Sequence, residues 1–428
     1  MPDPQTERSP KGAPEALGVA GARLIEFIKR TALRGIAVTE RSLRIPGGGS
    51  PSLDPANLRR IRNFLIPVTH PFLGAAVHET PLIEALRTAV PEANIVAAGS
   101  GIGAEVFRNH PGLTRFEPAP DPNRDFRGAV RAYRRVVRSF DGNPWCAFFT
   151  GWNGRSAVVL ATMLAGNGVR AGLSVVPALV HLPLSYDPAK SRIANNLRLP
   201  ELLGHTAPSH LEPQVCFTTE DFRAACDLLG REAHPQMQPL AVFVTQTSPG
   251  QRKKWREDRF VAVARWLIQE HGCRIALVGA ASEAPSVEAL QSAIGKDSFS
   301  LAGHTSVPVL TAVLAQADVA LTLDTGTLHL IRAVGLPACI IAPAWSPPLE
   351  WLPLNDPRFR ILKNLDLASQ PADYVIDEVS VDEVCGALGD LMRRYPSSAA
   401  SRDARVRRGL AGSLPFVSAK AVPEEMHG

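Results

Sequence analysis

The hexapeptide Asp324-Thr325-Gly326-Thr327-Leu328-His329 follows an apolar run at residues 318–323 and opens a stretch with helical spacing. A helix that starts where a parallel strand ends offers unpaired N–H groups and the positive end of its dipole, at the edge where open α/β sheets bind ligands. A diphosphate suits that place. Thr325, Gly326 and Thr327 can present backbone N–H and hydroxyl donors, and Gly326 lets oxygens approach where a Cβ would otherwise stand. The plain alternative is an ordinary N-cap at Asp324 and a packed helix histidine at His329. A second segment, TSPGQRKKW at residues 247–255, leaves the apolar run AVFVTQT. Its Ser248, Gly250 and Lys253 suit phosphate contact, the lysine acting as a point charge on leaving-group oxygens. A basic surface turn ending in a packing Trp255 is the alternative. Glu283, just after the run at 274–280, stands where an acid accepts hydrogens from ribose hydroxyls, or else is an acid favoured at a helix start.

These segments need a frame of strands, and the sequence supplies one. From Arg62 onward, short apolar runs alternate with amphipathic stretches: strands at 64–68 and 94–99 flank a helix at 80–90, and WCAFFTG at 145–151 precedes a helix at 156–165. A polar, Pro-containing joint follows near residue 236. The alternation then restarts with strands at 241–247, 274–280, 318–323 and 338–343 and a short strand in SFSLAG. Helices fall at 258–272 (closed by Gly272), 286–294 and 307–316. This pattern predicts an α/β fold with two Rossmann-like domains, their parallel sheets facing a central cleft. The expected divisions are a leader at 1–55 with a helix over 16–36, an N-terminal acceptor-side domain at 56–235, a C-terminal nucleotide-sugar-binding domain at 236–396, and a basic flexible tail at 397–428.

Composition bounds the function. With 428 residues, of which 45% are hydrophobic and 20% charged, the chain has material for two cores. Six scattered cysteines with no CxxC spacing read as buried thiols in a reducing compartment, and no spacing suggests a metal site. The first residues are polar with acids, and no apolar run reaches the roughly 18 to 20 residues a bilayer span needs, so a cytoplasmic protein is expected. The net charge of +5 favours anionic partners. Arg393, Arg394, Arg402, Arg405, Arg407 and Arg408 cluster around Asp403. That cluster reads as a solvated tail or as an attraction to anionic lipid or a phosphorylated glycan, which allows peripheral contact with the inner face of the cytoplasmic membrane. With no interleaved aromatic platform, nucleic acid is not an expected partner.

The order TSPGQRKKW, a strand bearing Gly279 with Glu283 behind it, LAGHTS at 301–306, and LTLDTGTLHLIRAVGLPACIIAPAWSP at 321–347 resembles the C-terminal half of bacterial ADP-heptose:lipopolysaccharide heptosyltransferases, glycosyltransferase family 9. The likeness runs over roughly residues 240–350. It is fainter in the first half, where strand 64–68, the Gly74 turn, Thr80-Pro81, and the segments at 151–172 and 191–204 are similar to the family's elements. Residues 1–55 and the C-terminal tail have no counterpart.

The resemblance implies that Asp324, Thr325, Gly326 and His329 hold the donor's diphosphate and sugar, that Lys253 contacts phosphate, and that Glu283 contacts ribose. It implies an inverting glycosyltransferase using a nucleotide-diphosphate sugar, ADP-heptose or a relative, with an anionic glycan or glycolipid acceptor such as lipopolysaccharide core. No metal or other cofactor is expected. Two departures stand out. Where the family has Gly-Asp, with the aspartate expected as general base, this chain has Gly74-Ala75. His78 and Glu79, four and five residues after Gly74, are the substitutes expected to take the acceptor's proton. Arg332 occupies a helix position that is usually small, where it would crowd the pocket or add charge to it. The alternatives are a degenerate paralogue that binds nucleotide sugar without turnover, and a nucleotide-sugar epimerase of the same architecture.

Overall fold

The structure, a computed structural model, describes residues 51–151, 153–230, 238–247, 252–369 and 373–412. The expected leader helix and the joint near residue 236 lie outside these.

The near-continuous apolar runs become parallel strands buried on both faces, because helices cover each side. In the first sheet these are β1 (Asn63–Val68), β2 (Asn94–Gly99), β3 (Arg115–Pro118), β4 (Trp145–Phe149), β5 (Val169–Gly172) and β6 (Leu182–Pro183). In the second they are β7 (Leu240–Val244), β8 (Arg274–Val278), β9 (Ser298–Ser300), β10 (Val319–Leu323), β11 (Ala338–Ile341) and β12 (Phe359–Leu362). The orders are β3-β2-β1-β4-β5-β6 and β12-β11-β10-β7-β8-β9. Every pair is parallel, as in the register Phe64 to Ile95 and Leu321 to Phe243. Each half therefore runs outward from its first strand on one side, then returns and runs outward on the other. Two switch points result, at β1/β4 and at β7/β10, each with a crevice at the strand carboxyl ends. The expected α/β architecture is found.

Two helices meet where those crevices face each other. Leu73–Val77 follows β1 and Gly326–Val334 follows β10. A Cβ built on Gly74 would lie 2.5 Å from His329 Cδ2, and one on Gly326 would lie 2.9 Å from Leu73 Cβ. Only glycine permits this approach. Gly326 was expected to make room for a ligand; its missing side chain makes room for the opposite domain.

Further contacts tie the halves together. Glu105 Oε2 accepts from Val307 N at 2.8 Å at the start of helix Val307–Ala315. Arg332 donates to Glu212 at 2.8 and 3.4 Å. Arg192 pairs with Glu350, whose Oε1 also accepts from Tyr186 OH at 3.1 Å.

The flexible tail expected at 397–428 is corrected over its first part. Ala399–Gly409 is a helix capped by Ser398, and its end bonds back to Phe217, with Phe217 N to Gly409 O at 2.9 Å. Arg402 turns inward to a bidentate contact with Asp318 at 3.0 and 3.1 Å. Arg405 donates to the carbonyls of Ala315 and Ala317. Two of the six arginines of the cluster thus serve the fold rather than presenting charge. Residues 413–428 lie outside the described residues. Among the described residues no helix is long and apolar enough to cross a membrane.

Asp318 Oδ2 also accepts from Leu240 N at 2.8 Å, so the Asp318–Arg402 pair holds the tail helix to the core of the second sheet. Removing the arginine would strand a buried carboxylate. Arg402→Leu should lower the unfolding free energy by about 3 kcal/mol, read from urea denaturation; an unchanged midpoint would mean that the pair does not hold this helix.

Candidate active site

A cleft of about 650 Å³ opens between the two sets of strand ends. Its first-half wall includes Pro71, Phe72, Gly74 and Ala75; its second-half wall contains Lys253, Glu283, Asp324, Thr325, Gly326, Thr327 and His329. All the second-half site residues expected from the sequence line it, except Ser248 and Gly250, which lie outside the described residues.

The floor of the cleft is the start of helix Gly326–Val334. Thr325 is its N-cap, in extended conformation, and no side chain caps the helix. The Thr325 hydroxyl is buried without a hydrogen-bond partner among the described residues. Free N–H groups, a dipole end and an unused hydroxyl therefore converge where an anion would be held.

Asp324 is not the N-cap. Its carboxylate, 4% exposed, accepts from Lys253 Nζ at 2.8 Å and from Ser346 Oγ at 3.1 Å. Lys253 also donates to the Asp324 carbonyl at 3.3 Å and lies 5.3 Å from the centre of the Trp345 ring. The carboxylate thus fixes the ammonium at the mouth of the helix start. Glu283 Oε2 accepts from Ala280 N at 2.8 Å as a cap, and its side chain borders the cleft.

The expectation that His78 or Glu79 opens onto the cleft is corrected, because neither side chain lines it. Glu79, 2% exposed, accepts from His70 Nε2 at 2.8 Å, from Asn153 Nδ2 at 2.9 Å and from the Thr150 hydroxyl. It is turned toward the ends of β1 and β4. His78 packs behind His329, its Nε2 at 2.9 Å from His329 Nδ1. Trp351 lies against both rings, with centroids 5.1 and 5.8 Å away. Arg192 stacks on the outer side of Trp351 at 4.6 Å.

Burial is the main cause that holds His329 down at about 4, opposed by Asp324 and assisted by Arg332 and Lys253. His78 is held well below its ordinary value by burial first, then by His329, Arg332 and Arg192. Both rings are neutral at pH 7. Arg332 neither crowds the cleft nor lines it; bound to Glu212, it acts on both histidines through its charge alone.

Sequence reasoning missed Trp345, Ser346 and Trp351. They sit in the segment after β11, and their place at a strand carboxyl end was the available signal. It also missed the network of His70, Thr150 and Asn153, which had no motif to mark it.

Two Rossmann-like sheets sharing one cleft, with anion-type donors at the ends of the second, define a GT-B-type fold. Residues 201–366 match the model of glycosyltransferase family 9 (heptosyltransferase). The chain is 26% identical over 209 residues to lipooligosaccharide heptosyltransferase 2 of Haemophilus influenzae, covering 47% of this chain and 56% of that protein. It is 24% identical over 212 residues to lipopolysaccharide heptosyltransferase 2 of Escherichia coli, again covering 47% and 56%. The chain thus spans about half the length of the curated relatives it matches.

Among solved structures, a family 9 glycosyl transferase from Veillonella parvula superposes with a TM-score of 0.67 at 15% identity, covering 78% of this chain and 97% of that one. The E. coli ADP-heptose lps heptosyltransferase II gives 0.63 at 17%, covering 78% and 100%. An E. coli heptosyltransferase with ADP-2-deoxy-2-fluoro heptose gives 0.56 at 17%, covering 77% and 99%. Residues 201–366 are thus similar in sequence to family 9 heptosyltransferases, and the fold as a whole is similar to that of their solved structures.

A histidine held below 6.5 binds fewer protons folded than unfolded, so its burial costs stability as pH falls through that value. For His329 the loss runs from about 6.5 toward about 4, with a slope of up to about 1.4 kcal/mol per pH unit. His329→Gln should flatten the fall in urea midpoint across that window. An unaltered slope would mean that the buried imidazole is not what titrates.

Proposed function

We propose that the protein is an inverting glycosyltransferase that moves a sugar, in our reading a heptose from ADP-heptose, onto a glycan or glycolipid such as lipopolysaccharide core. The observation that carries this reading is the uncapped start of helix Gly326–Val334, with the Lys253–Asp324 pair at its mouth, inside a cleft between two domains. The relatives' names and the ADP-linked heptose analogue in one solved neighbour support the donor. Acceptors of this kind bring the protein to the inner face of the cytoplasmic membrane, as a peripheral contact.

In the reaction the acceptor oxygen attacks the anomeric carbon, the bond from that carbon to the β-phosphate oxygen breaks, and ADP leaves with the electron pair. Lys253, the Thr325 hydroxyl and the free N–H groups of the helix stabilise the growing charge on the diphosphate, so our reading needs no metal. The acceptor's proton goes to the His70–Glu79 pair. His70 Nε2 donates to the carboxylate and its buried Nδ1 has no partner among the described residues; the pair does not line the cleft itself but adjoins it through Pro71, which does. A carboxylate that orients an imidazole and stabilises its protonated form is a recurrent device for this task.

A second reading has an observation of its own. Ala75 lines the cleft where the family resemblance expects a carboxylate, and both expected substitutes face away. The chain would then bind a nucleotide sugar without transferring it.

Purified protein incubated with ADP-, UDP- and GDP-sugars, with and without lipopolysaccharide-core acceptors, separates the readings. Acceptor-dependent ADP release, with Lys253→Ala lowering kcat/KM by about 100-fold or more and Glu79→Gln lowering kcat with nucleotide affinity kept, is the expected outcome. Binding with no release would favour the second reading, and Ala75→Asp should then create transfer. A changed sugar mass without any acceptor would overturn both.

A further inference from the structure

We propose that His78 sets the tautomer of His329, so that His329 presents a neutral Nε2–H donor to the diphosphate in the cleft and takes no part in proton abstraction. The ligand half of this inference rests on the donor-binding reading above; the tautomer half does not.

His329 stands on the first turn of its helix, and a helical side chain leans toward the N-terminus. Its Nδ1 lies 2.9 Å from His78 Nε2, with the rings edge to face at 77°. Its opposite edge, Cδ2 and Nε2, faces Gly74 at the cleft wall, where a Cβ would come within 2.5 and 2.8 Å of those atoms. One face of the contact is closed by Trp351. Two neutral imidazoles can share this hydrogen bond in only two ways.

If His329 Nδ1–H donates, His78 must carry its own hydrogen on Nδ1. That atom is buried and has no partner among the described residues, so a buried N–H would be orphaned. His329 would also turn a bare lone pair toward the anion site. If His78 Nε2–H donates, His78 Nδ1 is a bare lone pair and His329 carries its hydrogen on Nε2. Both rings then hold the tautomer that neutral histidine favours intrinsically, and the cleft gains a donor beside the Thr325 hydroxyl and the helix N–H groups. The second arrangement agrees with every contact, and it makes His78 a positioning residue.

The experiment uses the full chain labelled with 15N-histidine and long-range 1H–15N correlation at neutral pH without nucleotide. His78→Gln and His329→Gln assign the signals. Both rings are expected as neutral Nε2–H forms; an Nδ1–H or doubly protonated His329 overturns the proposal. ADP is then titrated calorimetrically. His78→Leu should weaken ADP binding by about tenfold, while His78→Gln, whose amide N–H can replace Nε2–H, should restore most of it. Equal losses in the two variants, or none in either, would leave His78 a packing residue only and overturn the ligand half. If the wild type shows the expected tautomers but does not bind ADP, the donor-site reading fails and the ligand half with it, while the tautomer half stands.

Discussion

The site depends on a contact from which side chains have been removed. Gly74 and Gly326 let the helix after β1 and the helix after β10 touch backbone to side chain, and the cleft is the space left beside that contact. An added methyl at residue 74 would displace a ring already tied to His78, and one at residue 326 would push on Leu73. The two domains can be built as separate Rossmann-like units. Their relation to each other is set by these small residues and by the pairs Glu105–Val307, Arg332–Glu212 and Arg192–Glu350 around them.

A close contact also removes water, and the electrostatics follow from that. His78 and His329 are neutral because they are desolvated and face Arg332, Arg192 and Lys253. Asp324 could not be left alone in such a place; Lys253 and Ser346 satisfy it, and in doing so they fix the ammonium at the helix start. Burial, which would be a cost for isolated charges, becomes the means of holding a cation and a neutral imidazole in one orientation each.

The parallel sheets were legible in the sequence because strands buried on both faces must be continuously apolar, as in FLIPV or DVALTL, and because helices between them keep a 3.6-residue period. β3, β5, β6 and β12 escaped notice: β3, β6 and β12 are short edge strands with exposed or polar positions, and β5 is a four-residue VRAG with an arginine in it, so periodicity marks them poorly. Cleft residues within one motif, from Asp324 to His329, were legible because strand ends dictate where they stand. Contacts across 251 residues, as between His78 and His329, leave no trace in spacing. The inward turn of Arg402 was hidden for the same reason, since a charge run reads as solvated until the acid it meets, Asp318, is known.

Ala75 and Arg332, the two departures from the family pattern, meet at one place. Ala75 takes a negative charge away from the cleft wall, and Arg332 adds a positive charge behind it, bound to Glu212 and acting on both histidines. Each change shifts the local potential in the same direction, toward an environment that favours anions and disfavours protonated imidazole. Such a potential favours an anion in the cleft and gives a histidine facing it little power as a base. In the transfer we propose, the proton therefore goes to a group that does not line the cleft. The buried His70–Glu79 pair, held by Asn153 and Thr150, is the group we assign to that step.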